Sequence, residues 1–188
     1  PLSSSAASDV YKRQVLCSGN GTNFENILRS CWEDEVVIMI HNVENCGAVK
    51  RANKFGIPHC FIEHEDEDLM IMTLKAMDVD LIILAGYMRI LSKKFVDSFD
   101  KIINVHPSLL PKYKGLNTVQ RALDAGDTVV GCTVHYVTEE LDSGDIIYQG
   151  LVDVEPNDTV KTLTKKIQRQ EYSILPEAIR LIKNNANT

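Results

Sequence analysis

The chain has 188 residues, of which 44% are hydrophobic and 24% are charged. These values are typical of a single globular domain and exclude a fibrous or disordered chain. The formal net charge of −6 lacks the basic surplus that binding to a phosphate backbone requires, so nucleic acid is not an expected partner.

The chain opens with PLSSSAASDVYKR, which has no initiator Met and no hydrophobic periodicity. This stretch also lacks the long apolar run of a secretory signal, and it leads directly into the first apolar segment. We predict that residues 1–13 are an extraneous or disordered segment and that residues 14–188 form one domain.

Short β-rich apolar runs then alternate with amphipathic segments, which is typical of βαβ units and a mostly parallel sheet. The predicted strands are 15–18, 36–41, 59–62, 81–85 and 102–106. The predicted helices between them are 24–33, 48–55, 68–77 and 92–98. Gly56, followed by Ile57 and Pro58, should end the second helix in a left-handed conformation.

The C-terminal part of the sequence has a different pattern. After a predicted helix at 118–125, the extended segments 130–137 and 145–154 predict an antiparallel extension of the sheet. From Thr159 onwards, helical periodicity predicts a long closing helix with a kink or restart at Pro176. The expected fold class is α/β, with a mostly parallel twisted sheet, helices on both faces and an antiparallel extension near the C-terminus.

The motif SGNGTN follows the first predicted strand and precedes a helix, where backbone N–H groups can hold an anion. No G-K-[ST] follows, and Phe24 occupies the third glycine position of a dinucleotide fingerprint. The motif therefore favours a phosphate monoester over ATP or a dinucleotide. The alternative is that Gly19 and Gly21 only permit a tight turn, capped by Thr22 or Asn23.

Asn104 and His106 lie two residues apart at the C-terminal end of a predicted strand, within INVHPSLLPKYKG. In extended geometry both side chains point to the same side. Ligands of open α/β sheets bind at this end of the strands. Taken alone, His106 could instead satisfy a buried backbone group, and Asp142 in DSGD could be a turn residue.

Cysteine spacing and apolar run length bear on the compartment. The cysteines include no C-x-x-C pair, which predicts neither a disulfide framework nor a zinc site. No run of about 18 apolar residues could span a bilayer. We therefore expect a cytoplasmic location and no membrane partner. The cysteines are Cys17, Cys31, Cys46, Cys60 and Cys132.

Four motifs occur in order between about residues 15 and 181: SGNGTN, LAGYMRIL, INVHPSLLPKYKG and VHYVTEELDSGDII. Together they resemble the phosphoribosylglycinamide formyltransferases, folate-dependent enzymes of purine biosynthesis. The resemblance implies a Rossmann-like fold and transfer of the formyl group of 10-formyltetrahydrofolate, a co-substrate, to the amine of glycinamide ribonucleotide. It implies no metal, only these small-molecule partners, and a monomer or homodimer.

The resemblance also implies roles for particular residues. Gly21, Thr22 and Asn23 would bind the substrate phosphate, and Glu171 would contact the substrate ribose. For Glu171 the alternative is a position on a solvated helix face. For residues 88–91, which the resemblance assigns to the folate pocket, the alternative is packing in the hydrophobic core. The implied folate-binding residues are Met88, Arg89, Ile90, Leu91 and Asn104.

Formyl transfer explains why these catalytic residue types are needed. As the amine attacks the formyl carbon, negative charge develops on the formyl oxygen, and the amide of Asn104 and a protonated His106 can both donate to it. Asp142 would favour the imidazolium form of His106. His106 can also move a proton towards the departing folate nitrogen. The remaining histidines receive structural interpretations: His41, His59, His64 and His135.

Two features depart from the family pattern. Lys12, Arg13 and Gln14 occupy places that a central strand buried on both faces would fill with apolar residues, so we predict a short first strand and a weakened sheet there. The segment EHEDED replaces an arginine that many members place after the third strand to meet the folate carboxylates. The groups that hold the glutamate tail therefore stay open.

Other functions share parts of this pattern. A methionyl-tRNA formyltransferase would reuse the Asn, His and Asp, but the acidic charge and the glycine loop disfavour it. A formyltetrahydrofolate hydrolase would be expected to carry an N-terminal regulatory domain. A non-catalytic phosphate-binding module would retain only the glycine loop. Ser108 suggests a hydrolase triad, but no G-x-S-x-G elbow surrounds it.

Overall fold

The computed structural model describes residues 11–30 and 35–186. Within them, seven strands form one sheet in the order β3-β2-β1-β4-β5-β6-β7. The first five strands in chain order pair in parallel, whereas β5–β6 and β6–β7 are antiparallel, which confirms the predicted fold class. The strands are β1 Lys12–Cys17, β2 Glu35–His41, β3 His59–Phe61, β4 Leu81–Leu84, β5 Ile102–His106, β6 Val129–Tyr136 and β7 Ile146–Asp153.

The helices cover both faces of the sheet. Side chains of α1, α2, α5 and α6 join one buried cluster, and those of α3 and α4 join a second cluster on the opposite face. Alternation along β1 divides the strand between them, since Val15 and Cys17 face the first cluster and Leu16 the second. The helices are α1 Thr22–Ser30, α2 Gly47–Phe55, α3 Glu67–Ala76, α4 Lys93–Val96, α5 Thr118–Asp124 and α6 Val160–Ala186.

Local signals explain several helix ends. Gly56 closes α2 with φ 68° and ψ 26°, which confirms the predicted left-handed residue. Asp66 caps α3 by accepting a hydrogen bond from the backbone N–H of Leu69. The closing helix α6 continues through Pro176, so the predicted restart does not occur. The end of the predicted helix 24–33 lies outside the described residues, as does Cys31.

The first strand differs from the prediction. It begins at Lys12, three residues earlier than expected, and is six residues long, so the prediction of a short strand is wrong. Its register against β2 shifts between Arg13 and Gln14, and both side chains are fully buried. Neither Oε1 nor Nε2 of Gln14 has a hydrogen-bond partner among the described residues. The separate N-terminal segment stays a prediction for residues 1–10, which lie outside them.

Strand order determines where a ligand can bind. The chain runs from β1 outwards to β3 and then returns to β4 on the other side of β1, so a crevice opens at the carboxyl ends of β1 and β4. The glycine loop follows β1, and the segment beginning at Gly86 follows β4.

Among residues 11–30 and 35–186, we find no helix with the length and apolar character of a membrane span.

Candidate active site

The pairing of β5 with β6 brings the polar side chains of the site together. Asn104 lies opposite His135, and His106 lies opposite Thr133. Residues directly opposite each other on antiparallel strands project to the same face with Cβ atoms about 5 Å apart. Asn104 is half-buried, whereas His106 and His135 are buried. Of these three residues, Asn104 is therefore the most exposed to solvent.

His106 is held at both ring nitrogens. Its Nε2 lies 2.9 Å from the carbonyl oxygen of Tyr113. A carbonyl only accepts, so Nε2 must carry the proton. Its Nδ1 lies 3.4 Å from Oδ2 of Asp142. The carboxylate of Asp142 therefore lies beside His106, but the Nε2–H of His106 is directed at the backbone of Tyr113.

Asp142 connects two loops. Its Oδ2 accepts a 2.8 Å hydrogen bond from the backbone N–H of Gly115, and its Oδ1 lies 3.7 Å from Nε2 of His135. The carboxyl is thus placed between two imidazoles and is buried. Asp142 and Tyr113 both adopt left-handed backbone conformations, with φ 49° and 55°. Such strain in non-glycine residues is concentrated at functional sites in proteins.

The sequence interpretation assigned His135 a structural role and missed its position in this cluster. Its Nε2 lies 3.4 Å from Nδ2 of Asn104, and its Nδ1 lies 2.8 Å from the carbonyl oxygen of Tyr136. Burial lowers the pKa of His135, and the nearby imidazole of His106 lowers it further, while the Tyr136 carbonyl and Asp142 act in the opposite direction. Alternation placed His135 on one face of a strand, but only the register pairs it with Asn104.

The glycine loop requires its glycines for steric reasons. Gly21 has φ 69°, and a Cβ there would lie 2.7 Å from both Cα and Cβ of Ala48. Gly47, at the start of α2, packs equally closely, since its Cβ would lie 2.8 Å from Cα of Asn20. The first intrahelical bond of α1 runs from Glu25 N–H to the Gly21 carbonyl. The amides of the preceding first turn therefore have no helical acceptor and face outwards.

Glu171 meets the glycine loop from α6. Nδ2 of Asn23 donates a 2.9 Å hydrogen bond to Oε2 of Glu171, which is buried. The alternative of a solvated helix face is therefore wrong. Burial raises the pKa of Glu171, and the hydrogen bond from Asn23 only partly opposes this effect. Oδ1 of Asn23 is also buried, and it has no hydrogen-bond partner among the described residues.

The predicted folate segment has a divided character. Met88 and Ile90 are 67% and 63% exposed, and Arg89 between them is also exposed. Leu91 is only 5% exposed and belongs to the second buried cluster. The core-packing alternative, which applied to residues 88–91, is therefore right for Leu91 and wrong for the three exposed residues before it. The backbone N–H of Met88 donates to Oγ of Ser18, which donates to Oδ1 of Asn42.

The acidic segment after β3 packs beside the same region. Nδ1 of His64 lies 3.2 Å from the hydroxyl of Tyr87, and Oε1 of Glu67 accepts a 2.9 Å hydrogen bond from the backbone N–H of Ser92. Burial raises the pKa of Tyr87 to about 12, with Glu67 adding to the effect and Arg89 opposing it. Arg89 is therefore close to this segment and offers an exposed positive charge.

Comparison with known proteins agrees with this geometry. Residues 11–179 match the family model described as formyl transferase, and the chain belongs to that family. It is 40% identical to a phosphoribosylglycinamide formyltransferase of Haemophilus influenzae, over 91% of this chain and 86% of the relative. It is also 40% identical to the trifunctional purine biosynthetic protein adenosine-3 of Gallus gallus, over 93% of this chain and only 19% of that protein.

Solved structures give the same assignment. The fold superposes with a TM-score of 0.90 on the phosphoribosylglycinamide formyltransferase of Anaplasma phagocytophilum, at 38% identity, covering 94% of this chain and 88% of that one. Within the formyl transferases, the chain is thus grouped with the phosphoribosylglycinamide formyltransferases.

Proposed function

We propose that this chain transfers the formyl group of 10-formyltetrahydrofolate to the amine of glycinamide ribonucleotide in de novo purine biosynthesis, in the cytoplasm. The observation that carries the proposal is the convergence of Asn104, His106 and Asp142 beside the crevice of the sheet. The 2.8 Å hydrogen bond from the Gly115 N–H to Asp142 supports a carboxylate that is fixed in place beside His106. The domain that carries this activity in the proposal includes the whole of β1, so it begins by Lys12 instead of residue 14 and extends to residue 188.

The substrate ribonucleotide occupies the side of the crevice near α1 in this proposal. Its phosphate binds at Gly21, Thr22 and Asn23, where the first turn of α1 presents backbone N–H groups and a partial positive charge. Its ribose hydroxyls donate to Glu171. The hydrogen bond between Nδ2 of Asn23 and Oε2 of Glu171 supports this arrangement, because it holds a carboxylate beside the glycine loop.

The folate co-substrate occupies the side near the segment after β4. Met88 and Ile90 present exposed apolar surface to its ring system, and the backbone of Leu91 and the amide of Asn104 complete the pocket. Arg89 is the cationic residue of the segment 88–91 and is exposed, so in this proposal it binds the carboxylates of the folate glutamate tail.

The chemistry begins when the lone pair of the substrate amine attacks the formyl carbon. The carbonyl electrons move to the formyl oxygen, and the resulting oxyanion of the tetrahedral intermediate accepts a hydrogen bond from Nδ2 of Asn104. For His106 to donate as well, its Nε2–H must leave the carbonyl oxygen of Tyr113 and form a hydrogen bond to the oxyanion instead. Asp142 stabilises the imidazolium. The bond between the formyl carbon and the folate nitrogen then breaks, and that nitrogen takes up the proton which the amine loses.

The test measures formyl transfer and free formate in parallel. Asn104→Ala should lower kcat by a factor on the order of 10²–10³ with little change in either KM, because the lost hydrogen bond acts mainly in the transition state. The exposed Asn157, in the turn before α6, provides the control Asn157→Ala, which should leave both constants unchanged. Formate release without transfer would identify a hydrolase, and binding without turnover would identify a phosphate-binding module. Either outcome would refute the proposal.

A further inference from the structure

The side chain of His135 contacts Asn104, the direct donor in the proposed mechanism, and its Nε2 also lies 3.7 Å from Oδ1 of Asp142. It is 2% exposed, lies opposite Asn104 in the β5–β6 register, and has its Nε2 3.4 Å from the Asn104 amide nitrogen. An asparagine amide can present either its oxygen or its NH₂ group in a given direction, with almost identical shape. Something must choose between the two orientations.

The proton on His135 makes this choice. Its Nδ1 lies 2.8 Å from the Tyr136 carbonyl, which can only accept, so Nδ1 carries a hydrogen. In the neutral imidazole, Nε2 then has a lone pair and accepts one N–H of Asn104. The NH₂ group retains its second N–H for the formyl oxygen. In the imidazolium form, Nε2 would instead donate, and the amide would turn to offer its oxygen.

The charge of the cluster favours the neutral form. Asp142 lies between two imidazoles, with one oxygen 3.4 Å from Nδ1 of His106 and the other 3.7 Å from Nε2 of His135. A single carboxylate compensates one positive charge, and two adjacent imidazolium groups would repel each other. Burial and the His106 imidazole both lower the pKa of His135, which agrees with this assignment.

We infer that neutral His135, with its proton on Nδ1, is a positioning residue that orients the Asn104 amide so that an N–H points at the reacting formyl oxygen. This inference rests on the proposed function, since it assigns Asn104 a donor role. If His135 orients Asn104 in this way, its own Nε2 must be unprotonated in the resting enzyme.

Two substitutions separate positioning from a structural role. In His135→Gln, the side-chain oxygen can accept at about the position of Nε2, but the donor to Tyr136 is lost. In His135→Asn, the amide can still donate at about the position of Nδ1, but the acceptor for Asn104 is lost. We expect His135→Asn to lower kcat by a factor on the order of 10–100 with both KM values within about twofold of wild type. His135→Gln should recover most of that loss.

The reverse ranking, with His135→Asn the faster enzyme, would overturn the inference, because it would mean that the Tyr136 hydrogen bond is the important one. The double variant Asn104→Ala/His135→Asn should be no slower than Asn104→Ala alone, since both act through one amide. If the fold-losses in kcat of the two single variants multiplied in the double variant, the two residues would act independently and the positioning role of His135 would be refuted. ¹⁵N NMR of the imidazole should show a protonated Nδ1 and an unprotonated Nε2, and a protonated Nε2 would contradict the inference.

Failure of the proposed function gives a different result. If the wild-type chain showed no formyl transfer, the activity assignment itself would fall before any His135 variant was compared. If wild type transfers formyl groups and circular dichroism shows that both variants are folded, the ranking of their kcat values depends on His135 alone.

Discussion

Gly21 and Gly56 offer a matched pair of substitutions at the same backbone conformation. Their φ angles are 69° and 68°, so replacement by alanine imposes the same left-handed strain of about 1 kcal/mol at each. They differ in the space available, because nothing lies within 4 Å of a Cβ at Gly56, whereas a Cβ at Gly21 would lie 2.7 Å from Cα and Cβ of Ala48.

The magnitudes follow from that difference. Gly56→Ala should lower the free energy of unfolding by about 1 kcal/mol, and Gly21→Ala by about 2–4 kcal/mol, because forced overlap with a backbone atom adds about 1–3 kcal/mol. Urea denaturation measures both values, with an unchanged m confirming that the comparison is valid. Any displacement of the loop should also raise the KM for glycinamide ribonucleotide and leave the KM for the folate unchanged.

Equal destabilisation by the two substitutions would refute this reasoning, since contact with Ala48 would then contribute nothing. A KM for the ribonucleotide that stays unchanged in a destabilised Gly21→Ala enzyme would separate the fold role of the loop from its proposed phosphate role.

Two further predictions concern buried polar groups. The buried amide of Gln14 has no hydrogen-bond partner among the described residues, so Gln14→Leu should raise the free energy of unfolding by about 1–3 kcal/mol. The control Gln168→Leu, at an exposed position, should change it little. A loss of stability in Gln14→Leu would show that the Gln14 amide is hydrogen-bonded after all. Burial raises the pKa of Glu171, so the folded chain holds that proton to higher pH than the unfolded chain, and stability is lost as pH rises through the folded pKa. Glu171→Gln lacks this loss, so its stability relative to wild type should increase as pH rises above the ordinary carboxyl pKa of about 4, measured by urea titration at stepped pH. The exposed Glu177→Gln should follow wild type, and a Glu171→Gln difference that does not change with pH would disprove the argument.

Much of the fold could be predicted from local pattern. The strand Ile102–His106 was predicted with its observed bounds, because an apolar run ends at a histidine that precedes proline. The left-handed Gly56 followed from a glycine before Ile57-Pro58. In each case the physical cause lies within a few residues of the feature.

The features that were missed depend on contacts distant in sequence. The start of β1 was predicted three residues late, because Lys12, Arg13 and Gln14 contradict the apolar pattern and pairing with β2 and β4 overrides local preference. The contact of His135 with Asn104 was missed because it depends on the register of β5 against β6, and a shift of one residue would turn His135 to the other face. The orientation of the His106 ring depends on the left-handed Tyr113, which no short motif signals.

The hydroxyl of Ser18 has a consequence for how the two substrates affect each other. It accepts from the backbone of Met88 in the proposed folate segment and lies at the start of the glycine loop. If a ligand at the loop shifted this hydroxyl, the backbone N–H of Met88 would have to follow its acceptor, and a ligand that shifted Met88 would act on Ser18 in the same way. Thermodynamic linkage then requires one coupling factor: whatever gain in affinity the ribonucleotide gives to the folate, the folate gives equally to the ribonucleotide.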